Sequence, residues 1–130
     1  MQNEKLINHW LEGSDKNFND MMAIYNAKRY DWALYIGHLT LEKLLKALYI
    51  KTTGSGDVPR IHSLTRLAGL CRLELDERLS KKLTEINTFN IETKYETQKR
   101  EFYLRCTKEY TNKQIEIIGE LRKWLKEKLI

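Results

Sequence analysis

The sequence predicts an all-α fold, an up-and-down antiparallel bundle of four to five helices. Three observations carry this. One proline and six glycines in 130 residues leave few interruptions, which suits long helices. Apolar residues recur at three- and four-residue spacing along most of the chain. No stretch shows the strict apolar–polar alternation of a half-buried strand. The length suits one domain, residues 1–130, built around one hydrophobic core.

The first helix is expected from about Asn3 to Ala27, with Leu6, Trp10, Phe18, Met21, Met22 and Tyr25 at helical spacing. Gly13-Ser14-Asp15 interrupts that pattern and predicts a kink, or a restart capped by Ser14 or Asp15. The second helix covers Tyr30 to about Lys51, with Trp32, Tyr35, Leu39, Leu45, Leu48 and Tyr49 as core. Thr52 to Ile61, with two glycines and the proline, is a loop and reads as a linker. Ser63 is the expected cap of a short third helix that buries Leu64, Leu67 and Leu70. Asp76 caps a fourth through about Asn87, with Leu79, Leu83 and Ile86 inward. Thr88 to Glu96 is irregular. One long last helix then runs from Thr97 to Lys128, with Phe102, Cys106, Tyr110, Ile117, Leu121 and Trp124 as its seam. The aromatic residues along these helices read as core rather than as a stacking platform.

Composition excludes several function classes. No apolar run approaches the ~20 residues that cross a bilayer. The opening MQNEKLINHW lacks the basic-then-apolar layout of an export signal. A cytoplasmic protein with no membrane role is therefore expected. Cys71 and Cys106 are far apart and have no zinc-type spacing, so both read as buried free thiols. No metal ligand and no cofactor is assigned. Net charge is +5, with 15 Lys/Arg against 11 Asp/Glu in residues 66–130. That bias permits an anionic ligand without marking a nucleic-acid binder.

Two groups of residues carry the chemistry. His38, Glu42 and Lys46 stand four apart on the most apolar helix, so they stack on one face. A polar stripe on a core helix has to be satisfied. Either Glu42 and Lys46 pair with each other, or the stripe lines a pocket or a dimer seam. The second group is Lys94, Tyr95, Lys99 and Arg100, at the expected start of the last helix, where a helix N-terminus favours an anion. His62, just before Ser63, is read as ordering the start of the third helix.

Motifs across five segments resemble the HEPN family of small helical domains. The best part is Tyr30-x-x-Ala33, Gly37-His38-Leu39 and Leu41-Glu42-Lys43-Leu44-Leu45-Lys46-Ala47-Leu48. Trp10, Asp15, Pro59-x-x-His62-x-Leu64, Phe89-Asn90-Ile91 and Lys94-Tyr95 add to it. The resemblance implies an antiparallel bundle in a bacterial protein, a two-fold homodimer, and a nucleotidyltransferase-type partner in a toxin–antitoxin-like or substrate-binding pair. It also implies binding of a nucleotide or RNA. The family's ribonuclease branch carries an arginine followed four to six residues later by histidine, in the last helical hairpin. Here all three histidines, His9, His38 and His62, precede Cys71. That motif is absent and no catalytic residue is assigned. Lys94-Tyr95-Glu96 also stands where relatives show arginine, tyrosine and proline, which removes a two-pronged phosphate donor.

The expectation is a non-catalytic, nucleotide-binding dimer in which Lys46 and the Lys94–Arg100 group neutralise phosphate while His38 and Tyr95 orient the base or partner. Two alternatives are an RNA-cleaving toxin using Arg100 or Arg105, and a ligand-free dimeric scaffold.

Overall fold

The computed structural model describes residues 2–130, and among these the chain forms six helices and no strand. They are α1 (Gln2–Asn26), α2 (Tyr30–Thr53), α3 (Leu64–Leu70), α4 (Glu77–Asn87), α5 (Glu96–Arg105) and α6 (Lys108–Lys128). A single 3-10 turn, Ile91–Thr93, lies between α4 and α5, inside the segment read as irregular. The all-α class holds, with one helix more than the upper expectation.

α2 is the centre because it is apolar nearly all round. Ala33, Leu34, Leu41, Leu44 and Ala47 are all 0% exposed, and the helix packs against each of the other five. A helix buried on every side has to bring its polar residues inside with it. Trp32 departs from the expected core: it is 50% exposed. Leu70 on α3 is likewise an exposed edge residue, whereas Leu64 and Leu67 are fully buried.

Gly13-Ser14-Asp15 is a contact surface, and α1 continues through it without the restart that the sequence allows. Ser14 is buried and its hydroxyl donates to the Thr40 carbonyl of α2 at 2.7 Å. Gly13 lets the Lys43 stem lie close, since a Cβ there would sit 3.2 Å from Lys43 Cδ. Asp15 accepts from Arg122 at 3.1 Å and pairs with Lys126 at 2.7 Å, tying α1 to α6. Burial pushes the Asp15 carboxyl up, but the hydrogen bonds and charges of Lys126 and Arg122 outweigh it and hold the carboxyl low. Small residues at helix crossings thus read as breakers when only their order is known.

The helix ends follow local chemistry. α2 stops at Gly54, which adopts φ 73° and donates its N–H to the Ile50 carbonyl at 2.8 Å. Ser63 accepts from the Arg66 N–H and Asp76 from the Leu79 N–H, as the sequence predicts. The expected single last helix is two. Thr107 takes extended backbone geometry and its hydroxyl accepts from the Tyr110 N–H, so α6 begins with its own cap. Cys106 fills the break with its side chain buried in the core. Both cysteines are buried and free; burial raises the Cys71 thiol to about 11 and the Cys106 thiol to about 12. Neither is a thiolate near neutral pH.

Candidate functional site

The polar stripe of α2 closes on a residue that the stripe itself does not contain. Glu42 and Lys46 are 5% and 6% exposed, with Lys46 Nζ 3.0 Å from Glu42 Oε2. Nζ also lies 5.3 Å from the centre of the Trp10 ring on α1, which covers it. The carboxylate has a second partner: His62 Nδ1 lies 3.1 and 3.2 Å from its two oxygens. His38 completes the cluster from one turn earlier, with Nε2 3.0 Å from the His62 carbonyl oxygen.

These contacts assign protons. A carbonyl only accepts, so His38 Nε2 carries the hydrogen. Burial is the main influence on His38 and lowers its pKa, against the opposing pull of Glu42. The ring is neutral near neutral pH, so its 3.8 Å approach to Glu42 is not an ion pair, and Nδ1 is a buried acceptor without a hydrogen-bond partner among the described residues. The Glu42 carboxylate likewise only accepts, so His62 Nδ1 carries its hydrogen, and in the neutral ring Nε2 is the acceptor. The pair alternative for Glu42 and Lys46 is therefore right but incomplete. The stripe also fixes the loop that precedes α3.

The second predicted group does not come together. Lys94 lines a cleft of about 620 Å3 with Thr88, Gln98, Glu101, Phe102 and Arg105. Tyr95 is 79% exposed rather than packed onto the bundle. Lys99 lies 3.7 Å from Glu96 Oε1, and Arg100 stacks over the Tyr103 ring at 5.6 Å. The N-terminus of α5 already has a negative group, Glu96 in its first turn. Gln98 reaches back to accept from the Tyr95 N–H at 2.9 Å.

Arg105 is the cation that joins Lys94. It donates to Glu85 Oε1 at 3.2 Å and to Thr88 Oγ1 at 3.1 Å, and stacks on Phe102 and Tyr110. Lys94 Nζ lies 5.5 Å from the Phe102 centre and has no carboxylate at ion-pair distance among the described residues. Burial first, and then the Arg105 charge, lower the Lys94 pKa. Two partly buried cations thus share one wall, with Glu101 on the rim.

Sequence reasoning misses two assignments. His62 is 20 residues from Glu42, and only the fold of the 54–63 loop joins them. For Arg105 the sequence suggests a different role; its grouping with Lys94 depends on how the segment before α5 lies along that helix, which sets both cations against the Phe102 ring. No group of three or more His, Cys, Asp or Glu side chains suits a metal ion among the described residues. No helix there is long and apolar enough to cross a membrane.

Comparison with known families decides the grouping. The HEPN domain profile matches residues 7–129, nearly the whole chain. The chain belongs to the HEPN domain family. Comparison with curated protein sequences gives no match. Among solved structures, this HEPN chain is similar to TT1696 from Thermus thermophilus. The TM-score is 0.75 at 20% identity, over 94% of this chain and 97% of that one. At that identity the likeness speaks for the fold alone. The α2 residues that resemble the HEPN signature, Glu42 and Lys46 among them, lie in the buried cluster.

Proposed function

We propose that this chain is a HEPN binding module that takes the phosphate of a nucleotide in the Lys94–Arg105 cleft. The observation that carries this is the pair of cations lining one cleft, Lys94 and Arg105 at 5.5 and 5.1 Å from the same Phe102 ring centre. Like charges placed together in a partly dry cleft are mutually unfavourable, and a bound anion relieves both. Arg105 offers a planar fork already oriented by Glu85 and Thr88; Lys94 offers a mobile point charge beside it. Lys46 has no part in phosphate binding, because its ammonium is enclosed by Glu42 and Trp10.

The homodimer that family resemblance implies has a surface suited to it. Trp32, Tyr103 and Leu104 are 50%, 56% and 59% exposed. Trp32 and Tyr103 line a cleft of about 610 Å3 with Ile24, Ile36 and the charged Lys28, Arg29 and Asp31. Exposed aromatic residues with charged neighbours favour association with another protein surface. Light scattering on wild type and Trp32→Glu tests it: loss of a dimeric mass supports this face, and a monomeric wild type removes it.

Calorimetric titration with ATP, GTP and a short RNA tests the ligand. Saturable binding should weaken about tenfold or more in Arg105→Ala or Lys94→Ala, as for loss of one charged hydrogen bond. No heat at concentrations near ~1 mM, where binding of about −4 kcal/mol still registers, would sink the nucleotide reading. A nucleotidyltransferase-type protein would then be the partner to test.

A further inference from the structure

His62 is held at two points by one face of α2. Its backbone carbonyl accepts from His38 Nε2, and its ring donates from Nδ1 to Glu42. Glu42 is itself buried and fixed by Lys46, so the ring cannot swing with its loop. The His62 side chain is nevertheless 61% exposed. What remains open is Nε2, the acceptor of the neutral ring, whose orientation and tautomer are set by a carboxylate behind it.

That ring lines a cleft of about 240 Å3 with His38, Ser63, Asn87, Asn90 and Thr93. Most of the polar groups there are engaged. Asn87 accepts from the Leu64 N–H and donates to Thr65. Ser63 caps α3, and the Thr93 hydroxyl donates to the Asn90 carbonyl. Asn90 is 9% exposed; its Oδ1 accepts from the Glu92 N–H, which leaves its NH2 group without a protein partner among the described residues. The cleft thus presents one oriented acceptor, His62 Nε2, and one oriented donor, Asn90 Nδ2. Thr93 is also a wall of the Lys94–Arg105 cleft, so the two clefts adjoin at the 3-10 turn.

We propose that the His62–Asn90 cleft is the second half of the ligand site. There His62 Nε2 accepts a hydroxyl or N–H donor of a phosphate ester whose phosphate lies between Lys94 and Arg105. This rests on the phosphate-site reading above and adds the ligand's other end to it. The chemistry fits a nucleotide or a simpler sugar phosphate, since both carry donors a few bonds from phosphate. A purely structural role for His62 uses only Nδ1 and the carbonyl, and leaves Nε2 without consequence.

The two roles separate in one variant. His62→Asn keeps an N–H donor close to where Nδ1 stood and has nothing at Nε2, so it preserves the tie to Glu42. Purified wild type, His62→Asn and a His9→Ala control are titrated with inorganic phosphate, ribose 5-phosphate and AMP. A circular dichroism melt checks that the variants are folded. Wild type and control should bind an ester about tenfold more tightly than inorganic phosphate, the worth of about one good hydrogen bond. His62→Asn should lose that preference and keep the phosphate affinity. AMP above ribose 5-phosphate identifies a nucleotide ligand; equal affinities identify a sugar phosphate. Phosphate binding without any preference for the esters, or a preference unchanged in His62→Asn, overturns this inference and leaves the phosphate site standing. Binding of none of the three overturns both.

Discussion

The buried cluster on α2 and the Lys94–Arg105 cleft treat charge in opposite ways. In the cluster every full charge has a partner inside the protein: Glu42 faces Lys46 and His62, and Trp10 caps the lysine. In the cleft, Arg105 has Glu85, but Lys94 lies against the Phe102 ring with no carboxylate at ion-pair distance among the described residues. The difference follows from burial. An ion taken out of water costs several kcal/mol unless it is paired and hydrogen-bonded, so an unmatched charge as buried as Glu42 would not persist. At the cleft, water carries part of that solvation, and an unmatched cation is tolerable until a ligand arrives. Complete pairing marks structure; incomplete pairing marks an available site.

The strongest way to break this comparison is to unpair the cluster. Glu42→Ala leaves Lys46 buried without its counter-ion and frees the His62 ring. Urea unfolding should show a loss of ~3–5 kcal/mol, typical of one partner removed from a buried pair. The double variant Glu42→Leu/Lys46→Met should recover most of that loss, because apolar residues of similar size replace a buried ion pair at little net cost. A single-variant loss below about 0.5 kcal/mol, the scale of an ordinary surface change, would show that the cluster is wetter than its geometry implies.

A gentler perturbation uses pH. His38 is neutral in the folded chain because burial lowers its pKa, while an unfolded histidine titrates near ~6.5. Below that value the unfolded chain binds a proton that the folded one refuses. Stability is therefore full above pH ~6.5 and falls as pH drops toward the depressed folded value, by up to about 1.4 kcal/mol per pH unit. His38→Gln keeps an N–H donor near the His62 carbonyl and cannot titrate. Urea midpoints taken between pH ~7.5 and ~5.5 should fall further in wild type than in His38→Gln. Equal slopes would mean that folded His38 takes up its proton over the same range as the unfolded chain; a smaller fall in wild type would mean that its contact with Glu42 is an ion pair after all.

What the sequence made legible tracks the range of the interaction. Helix existence, the caps at Ser63 and Asp76, and the centrality of α2 rest on contacts within a few residues, and all were readable. The stripe of His38, Glu42 and Lys46 was readable as a face because helical spacing is fixed. Its further partner was not, since His62 arrives through a loop that no local rule folds. The α5–α6 break had a local sign in Thr107, a capping residue three before Tyr110, but the apolar seam running through Cys106 concealed it. The anion site was displaced for a separate reason: the expected helix start grouped Lys99 and Arg100 with Lys94, whereas the fold sets Lys94 and Arg105 against one ring, Phe102.

That displacement gives the smallest predicted effects and the sharpest control. Among the described residues Lys99 pairs only with Glu96, whose side chain is 93% exposed, and Arg100 stacks on an exposed tyrosine. Exposed ion pairs of this kind contribute ~0–1 kcal/mol. Lys99→Ala and Arg100→Ala should therefore shift stability by no more than about 0.5 kcal/mol. Both should bind phosphate ligands within about twofold of wild type, a change of under half a kcal/mol. Lys94→Ala and Arg105→Ala, with the same loss of formal charge, should bind at least about tenfold more weakly. Four substitutions that each remove one positive charge from a 12-residue stretch, Lys94 to Arg105, hold the net-charge term nearly constant. If all four weaken binding alike, attraction is a diffuse property of a basic surface and the cleft has no special standing. If only Lys94 and Arg105 matter, it is the shared wall of the cleft, rather than the density of basic residues, that selects the ligand.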